Sequence, residues 1–407
     1  MKFHFRNPKL RDFVSDKHPI NVFCQRCNEM LCSEYNARVD KRHLLMRRFL
    51  FASCVVVLLG SYEGFAQDPT FSQFYANKIY VNPAFAGAEQ GLRLHFNYRN
   101  LWTSVPSDFS TFSAGIDVAD HNISGGLGFI AVNSKEGEGQ LRTQQYGLMY
   151  SYRLIVLPKM FDLHFGLGAH YIRKDIEDWD SFIFSDQINP YNTDIGATAV
   201  TRPERLYVEM PDFNAGMLAR FNIKLKGGRP PISNTIGFAA HHVSQPNESL
   251  LGRNEPLPIK WVGHFSTMIP VGKRKSRSPF YLSPNIMYEH QKNLNTLNAG
   301  LYAMKAPVML GVWYRNGGTF TIDNSDAIMV NIGARFEDKA KRFMMQIGYS
   351  YDVTISKLAG STAGTHEVAC IIEFTRAALF GRKNPSARKR ARNCYKWRGP
   401  NSMPKVF

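Results

Sequence analysis

The sequence contains no apolar run long enough to cross a membrane as a helix. The longest run, residues 49–59, has 11 residues, whereas a helix needs about 20 to span the hydrocarbon core of a bilayer. After Ala66 no run approaches that length. The sequence therefore excludes membrane-spanning helices, including a helical anchor at residues 49–59.

Cysteine is scarce, and most of it lies near the start of the chain. Four of the six cysteines precede residue 66. Three of these have a loose metal-like spacing, but no fourth ligand follows at a spacing known for zinc. The sequence therefore predicts no metal site and no cofactor. The six residues are Cys24, Cys27, Cys32, Cys54, Cys370 and Cys394.

The main part of the chain has little net charge. Residues 67–381 hold 30 basic and 27 acidic side chains, whereas residues 382–407 hold nine basic side chains and no acid. A nucleic-acid-binding fold needs a basic face on the fold itself. Because the basic residues are concentrated at the end of the chain, nucleic acid is not a predicted partner.

No catalytic constellation stands out. His241 and His242 precede Ser244, and His264 precedes Ser266. A hydrolytic triad, however, requires a spatial arrangement that includes an orienting acid, which closeness in sequence does not supply. We predict no catalytic residue, and an outer-membrane hydrolase is the weaker alternative.

A glycine cluster, Gly125, Gly126 and Gly128, does not indicate a phosphate-binding loop. Such a loop needs a strand before it and a helix after it. In a β structure these glycines are better interpreted as room for a bend or for a segment that packs closely against the strand.

The start of the chain carries an export signal. Residues 46–48 are Met-Arg-Arg, residues 49–59 are apolar, and a small-residue cleavage motif ends at Ala66. This order predicts a signal peptide over residues 46–66 with cleavage after Ala66. Residues 1–45 are polar and have no periodicity, so we predict that synthesis begins at Met46 and that residues 1–45 are not part of the mature protein.

Beyond Ala66 the dominant pattern is strict alternation of apolar and polar residues. This period of two is typical of strands with two unlike faces. The polar face carries small and charged residues, which favours a polar barrel interior and an apolar surface toward lipid. In the first such segment Leu92, Leu94, Phe96 and Tyr98 alternate with Arg93, His95, Asn97 and Arg99.

The sequence thus predicts an all-β protein, a transmembrane antiparallel β-barrel of about 14 strands over residues 91–376. Most segments have the roughly ten residues that a tilted membrane strand needs. An even strand number places both ends of the barrel chain in the periplasm. The residues between 175 and 211 form a long polar loop that should face outside. The segments lie near residues 91–100, 110–119, 124–133, 141–155, 160–174, 212–225, 233–243, 259–269, 280–290, 293–305, 307–316, 325–337, 342–354 and 365–376.

Residues 67–90 precede the first strand and form a predicted plug or periplasmic segment. Phe71, Phe74, Tyr75, Ile79 and Tyr80 follow helical spacing, which predicts a short amphipathic helix over residues 71–80. The segment either docks a partner or only stabilises the barrel. The residues predicted to form the plug or docking surface are Gln73, Tyr75, Asn77, Asn82, Pro83, Arg99 and Trp102.

A family resemblance appears in the same stretch. Residues 67–87 read QDPTFSQFYANKIYVNPAFAG and residues 98–102 read YRNLW. With GFAAHHVSQPN at residues 237–247 and SPNIMYEHQ at residues 283–291, they resemble the PorP/SprF family of the type IX secretion and gliding machinery. The chain departs from the family at Leu101, where glutamine is expected, and at its end, which lacks the expected Cys-Pro finish.

The resemblance implies a non-enzymatic barrel in the cell outer membrane. It also implies that the partners are type IX secretion or gliding components, secreted adhesin cargo and outer-membrane lipid. From the residues alone, the alternatives are a FadL-like or porin-like transporter and a soluble secreted β protein. The absence of repeats and the apolar outer stripe argue against a soluble protein.

Residues 377–407 form a predicted basic periplasmic tail. The default interpretation is a disordered, solvated tail, and the alternative is that its basic residues dock to an acidic partner, lipid phosphates or peptidoglycan. The residues predicted to dock are Arg388, Lys389, Arg390 and Arg392.

Overall fold

The computed structural model describes residues 68–375, except positions 90, 106–108, 121–122, 138, 159, 185, 189–195, 226–228, 251, 272–278, 318–324, 339–341, 357–358 and 360–361. The predicted signal peptide with its cleavage site at Ala66, and the tail residues Arg388, Lys389, Arg390 and Arg392, lie outside the described residues. Within them, no helix combines the length and the apolar character needed to cross a bilayer.

Fourteen antiparallel strands form one closed barrel. Each strand pairs with its neighbours in sequence, and β1 pairs with β14 to close the sheet. The predicted fold class is therefore confirmed. The strands are β1 (Leu92–Leu101), β2 (Phe109–Asp120), β3 (Gly125–Glu136), β4 (Leu141–Leu157), β5 (Phe161–Ile176), β6 (Tyr207–Ile223), β7 (Ile232–His241), β8 (Lys260–Val271), β9 (Phe280–Gln291), β10 (Leu294–Lys305), β11 (Val308–Gly317), β12 (Ser325–Glu337), β13 (Phe343–Thr354) and β14 (Thr365–Phe374).

The two faces of the sheet have the reverse of the polarity found in a soluble protein. In β1, Arg93 and His95 are 4% and 1% exposed, whereas Phe96 and Tyr98 are 38% and 48% exposed. The polar side chains thus point into the barrel and the apolar ones point outward, as a lipid-facing wall requires. Outward-facing apolar residues that are more than half exposed include Leu148, Leu167, Phe213, Leu310, Val312 and Ile332.

The barrel has two distinct ends. At the terminal end β1 begins and β14 finishes, with Leu92 opposite Phe374. At the loop end the longest connections, residues 177–206 and 242–259, join β5 to β6 and β7 to β8. Outer-membrane barrels have short turns on the periplasmic side and long loops on the outside.

The start of β6 differs from its prediction. The strand was expected from residue 212, but it begins at Tyr207 and includes Pro211, which lies opposite Tyr171 of β5. Proline cannot donate a ladder hydrogen bond and is tolerated where a strand has one neighbour only. Because β6 pairs with β7 only from Ala215 onward, Pro211 has such a position, and the loop is confined to residues 177–206.

The predicted amphipathic helix over residues 71–80 is wrong. The only helical turn there is α1 (Lys78–Val81). The backbone N–H groups of Ser72 and Gln73 bond to the carboxyl of Glu367, and residues 74–76 form an isolated turn. Since side chains around the whole segment are buried, it has no solvent-facing side of the kind an amphipathic helix presents.

Candidate functional site: the barrel lumen and its N-terminal segment

The N-terminal segment, residues 69–88, contacts inward-facing residues of strands all around the barrel and so lies within the lumen. Its first residues reach Arg99, Asp352 and Glu367, each two residues from the loop end of its strand. Its last residues reach Asp117 and Arg220 near the terminal end. The chain therefore enters near the loop end and leaves near the terminal end.

We call residues 69–73 the upper half of the segment, and polar bonds hold it. Glu367 accepts hydrogen bonds from the backbone N–H of Ser72 (2.5 Å) and of Gln73 (3.0 Å). The Ser72 hydroxyl donates to Asp352 and accepts from Arg315 at 3.4 Å. These partners are 243 to 295 positions away in sequence, so folding of the whole barrel is needed to assemble them.

Two guanidinium groups complete the upper network. Arg99 donates to the carbonyl and the hydroxyl of Thr70, the second bond measuring 2.8 Å. Arg99 and Arg315 lie 3.5 and 3.6 Å from the same Asp352 oxygen. Buried charges of opposite sign are thereby placed together, as burial of charge requires.

Between the two halves the segment packs through aromatic rings. Phe74 meets Trp313 of β11 edge to face, with ring centroids 4.7 Å apart, and Tyr75 lies 5.7 Å from the same ring. Asn77 donates to Ser113 of β2 at 2.7 Å. The middle of the segment thus joins opposite walls of the barrel.

We call residues 82–88 the lower half, and it packs on glycines. It includes the 3₁₀ turn Pro83–Phe85, which the Asn82 side chain caps by accepting from Ala84 N at 2.9 Å. A Cβ on Gly166 of β5 would lie 2.2 Å from Ala84 N, and one on Gly126 of β3 would lie 2.4 Å from the Gly87 Cα. Backbone approaches this close are possible only where the strand has no side chain.

A buried carboxyl fixes the end of the lower half. Asp117 of β2 accepts from Gly87 N at 2.9 Å and from Arg93 Nε at 3.0 Å, and His95 Nε2 lies 2.6 Å from it. Gly87 has φ = +60°, a conformation that glycine adopts without strain. On the other side Arg220 of β6 donates to the carbonyl of Ala88 at 2.9 Å.

The structure brings together most of the residues predicted for the site. Gln73, Tyr75, Asn77, Asn82, Pro83 and Arg99 all lie in the lumen contacts described above. Trp102 does not join them, because it follows β1 at the loop end and packs on Phe109, with ring centroids 5.4 Å apart. That these residues form a plug or bind a partner stays a prediction.

Sequence reasoning missed the barrel residues that hold the segment. The strand pattern placed their side chains inside the barrel, but it could not pair them with residues of the segment. One signal in the sequence could have identified most of them, namely a charged residue at an inward-facing position of an alternating strand. The missed barrel residues are Asp117, Ser151, Arg220, Arg315, Asp352 and Glu367.

The histidine and serine pairs do not form a triad. Ser244 donates to Asp212 at 3.1 Å, and His242 Nδ1 lies 2.9 Å from the same carboxyl. The carboxyl thus bridges the two side chains, whereas a hydrolytic serine must bond to the histidine. Among the described residues, no group of three or more His, Cys, Asp or Glu side chains is arranged to hold a metal ion.

An ion pair ties the long loop to the loop end of the wall. Glu177, directly after β5, accepts from Lys135 at 3.0 Å and from Arg142 at 2.5 Å. The hydrogen bond from Lys135 is the main cause that lowers the pKa of the Glu177 carboxyl below its usual range.

The chain is similar to several solved structures, one of which is described as an outer membrane protein. CdiB from Acinetobacter baumannii has a TM-score of 0.39 and 8% identity, with coverage of 70% of this chain and 60% of that chain. Omp33 from the same organism has a TM-score of 0.34 and 7% identity over 71% of this chain and 99% of that chain. BamA from Haemophilus ducreyi has a TM-score of 0.34 and 12% identity over 70% of each chain.

Comparison by sequence gives the family. No curated protein matches the chain. The model of the type IX secretion system membrane protein PorP/SprF family matches residues 63–371, which include the lumen segment and nearly all of the barrel. With its closed barrel of 14 strands, the chain is an outer-membrane protein that belongs to the PorP/SprF family of type IX secretion system membrane proteins.

Proposed function

We propose that this protein is a non-enzymatic component of the type IX secretion system that supports export or surface attachment of adhesin-like cargo and docks to periplasmic machinery. The observation that carries the proposal is the family match over residues 63–371. Membership in this family implies partners in the secretion machinery. The specific cargo and the docking contacts are the proposed part.

The filled lumen supports a structural or docking role over that of an open pore. Residues 69–88 run through the barrel, and inward-facing side chains on both sides of them, such as His95 and Trp313, are 1% exposed. The FadL-like or porin-like transporter remains the alternative. It needs a continuous passage through the lumen, which the segment occupies.

Strand topology suggests where periplasmic partners would bind. Because β14 finishes beside the start of β1, the chain after Phe374 leaves at the terminal end, opposite the long loops. In an outer-membrane barrel that end faces the periplasm. The basic tail with Arg388, Lys389, Arg390 and Arg392 would then meet acidic groups of the periplasmic machinery, lipid phosphates or peptidoglycan.

The first experiment is an affinity pull-down of the tagged protein from detergent-solubilised outer membranes, with mass spectrometry of the co-purifying proteins. Recovery of type IX components or of a large adhesin is the expected result. A solitary barrel that conducts ions in a planar bilayer would contradict the proposal and favour the transporter.

A charge reversal tests the tail. Changing Arg388, Lys389, Arg390 and Arg392 to glutamate should reduce co-purification of periplasmic components at least tenfold. The matched control exchanges lysine and arginine at the same four positions, which keeps the charge and should keep the partners. Equal recovery from both variants would contradict docking through the tail.

A further inference from the structure

The inner wall formed by β12 and β13 carries buried polar atoms that have no hydrogen-bond partner among the described residues. Asn331 has neither a donor partner nor an acceptor partner among the described residues, and Gln346 Nε2 and Ser350 Oγ also have none there. The three side chains are 4%, 4% and 0% exposed. Buried polar groups in folded proteins are otherwise almost always hydrogen-bonded.

These atoms form a continuous ladder from the terminal end toward the upper network. Arg335 lies opposite Gln346 and Asn331 lies opposite Ser350, with Gly333 and Gly348 paired between them. Arg335 Nε and Nη1 also lack partners in the described part of the chain. The next inward residue of β13 is Asp352, whose second oxygen is unpartnered as well. The ladder therefore ends where the upper half of the segment is bound.

The opposite wall differs in this respect. Its inward polar groups bond to the lower half of the segment, as Ser151 does by donating to the Ala84 carbonyl at 3.0 Å. Over the described residues, most of the buried unpartnered side-chain atoms lie on β9–β13, and His170 and His264 are the examples on β2–β8. Among the described residues, the segment thus bonds to more of the inward polar groups on one wall of the barrel than on the other.

The upper half is the part of the segment that covers this polar wall. Gln73, Tyr302 and Met309 line a narrow cleft with Asn331 and Gly333. The polar bonds of Ser72 and Gln73 to Asp352 and Glu367 hold the cover in place. Bonds of this kind exchange with water at little net cost, whereas the backbone packing of the lower half cannot separate without leaving voids.

We propose that the barrel contains a gated path for water and small hydrophilic solutes along β12 and β13, and that residues 69–73 act as its latch. When the latch lifts, water satisfies the ladder from Arg335 to Asp352 and the lower half stays in place. The ladder carries a guanidinium group, a carboxyl, amides and a hydroxyl, so the path suits water and small hydrophilic solutes, including small ions of either sign.

Thiol labelling tests this directly. Ser350 and Ser151 are both inward-facing and 0% exposed, but they lie on opposite walls. Each is changed to cysteine in a chain whose Cys370 and Cys394 are alanine, and the rate of reaction with a charged methanethiosulfonate is measured on the folded barrel. Adding Glu367→Gln should speed labelling of Ser350→Cys at least tenfold and leave Ser151→Cys unchanged. Equal rates at Ser350→Cys with and without Glu367→Gln would overturn the proposal, and so would a parallel rise at both positions.

A reversible lock gives a second, electrical readout, in which the oxidised and reduced states of one and the same variant are compared. The Ser72 hydroxyl and the Asp352 carboxyl are hydrogen-bonded, so the pair Ser72→Cys and Asp352→Cys is placed to form a disulfide. In a planar bilayer the double variant should pass no ionic current while the disulfide is formed, and it should conduct once a reductant has broken the disulfide. The unmodified protein, treated with the same reductant, is the control and should not conduct. Absence of current in both redox states would also overturn the proposal.

Discussion

The two halves of the lumen segment are held by different forces. Residues 69–73 are bound through hydrogen bonds to Arg99, Asp352 and Glu367, while residues 82–88 press their backbone onto Gly126 and Gly166. Polar bonds exchange with water, whereas close packing is lost entirely once the surfaces separate. The lower half is held by this packing in addition to its own polar bonds to Asp117 and Arg220, so we expect it to be bound more tightly than the upper half.

The largest effect should come from the carboxyl that anchors the lower half. Asp117→Asn removes the carboxylate that buried Arg93 contacts at 3.0 Å and should destabilise the barrel by about 4 kcal/mol. The temperature at which the folded band shifts in a heat-modifiability gel measures this. Asp326→Asn, at a side chain that is 46% exposed, serves as the control and should leave the transition in place. Equal transitions for the two variants would argue against a core role for the lower half.

A methyl group at the packing surface should have the next largest effect. In Gly166→Ala the new Cβ would lie 2.2 Å from the Ala84 nitrogen, and relief of this overlap should cost about 3 kcal/mol. Gly263→Ala adds the same methyl where no atom lies within 4 Å, and it should melt like the unmodified protein. If both glycines accept alanine equally well, the backbone packing is not what holds the segment.

Loss of charge in the upper network should have a smaller effect on stability. Glu367→Gln weakens the bonds to the backbone of Ser72 and Gln73 and should cost about 1.5 kcal/mol. Glu209→Gln, at a side chain that is 42% exposed, is the control in the same gel assay. A loss as large as that of Asp117→Asn would remove the distinction between the two halves.

The smallest effect is expected outside the lumen, at the loop anchor. Lys135 lowers the pKa of the Glu177 carboxyl in the folded protein. The stability that the ionised carboxyl gives to the loop anchor is therefore fully present at neutral pH. It is lost as the pH falls through the folded-state pKa, which lies below the usual value of about 4. Exposed pairs of this kind contribute about 0.5 kcal/mol. In the unmodified protein, limited proteolysis of residues 177–206 should therefore become faster as the pH falls through the pKa of Glu177. In Glu177→Gln the rate should not change over the same pH range.

The strands could be predicted because each one shows alternation of apolar and polar residues within its own sequence. Alternation is a local property, so the 14 segments could be found one at a time, and most ends agree within a few residues. The error at β6 arose because Pro211 was interpreted as a boundary, although the strand has a single neighbour at that point. A local pattern does not reveal how many neighbours a strand has.

The site was less predictable because it depends on contacts between distant positions. Asn82 was predicted as part of the plug or docking surface, but nothing in the sequence predicted that its amide bonds to the carbonyls of Met217 and Phe238. The helix expected over residues 71–80 failed for a similar reason, because the barrel buries the side chains of the segment on all sides and local spacing does not reveal such burial. One clue was present in the sequence, because glycine at Gly126 suggested room for a segment packed against the strand.

An even number of strands places both ends of a barrel on one side of the membrane, but this rule does not count the lumen segment, which also runs along the barrel. Thr70 bonds to Arg99 near the loop end, whereas Phe374 closes the last strand at the terminal end. The segment therefore makes an additional, non-strand passage across most of the barrel, and parity alone gives the wrong side for its first residues. Since that passage lies inside a closed cylinder, assembly has to place the segment as well as pair the strands, either before β1 and β14 join or by insertion from the terminal end.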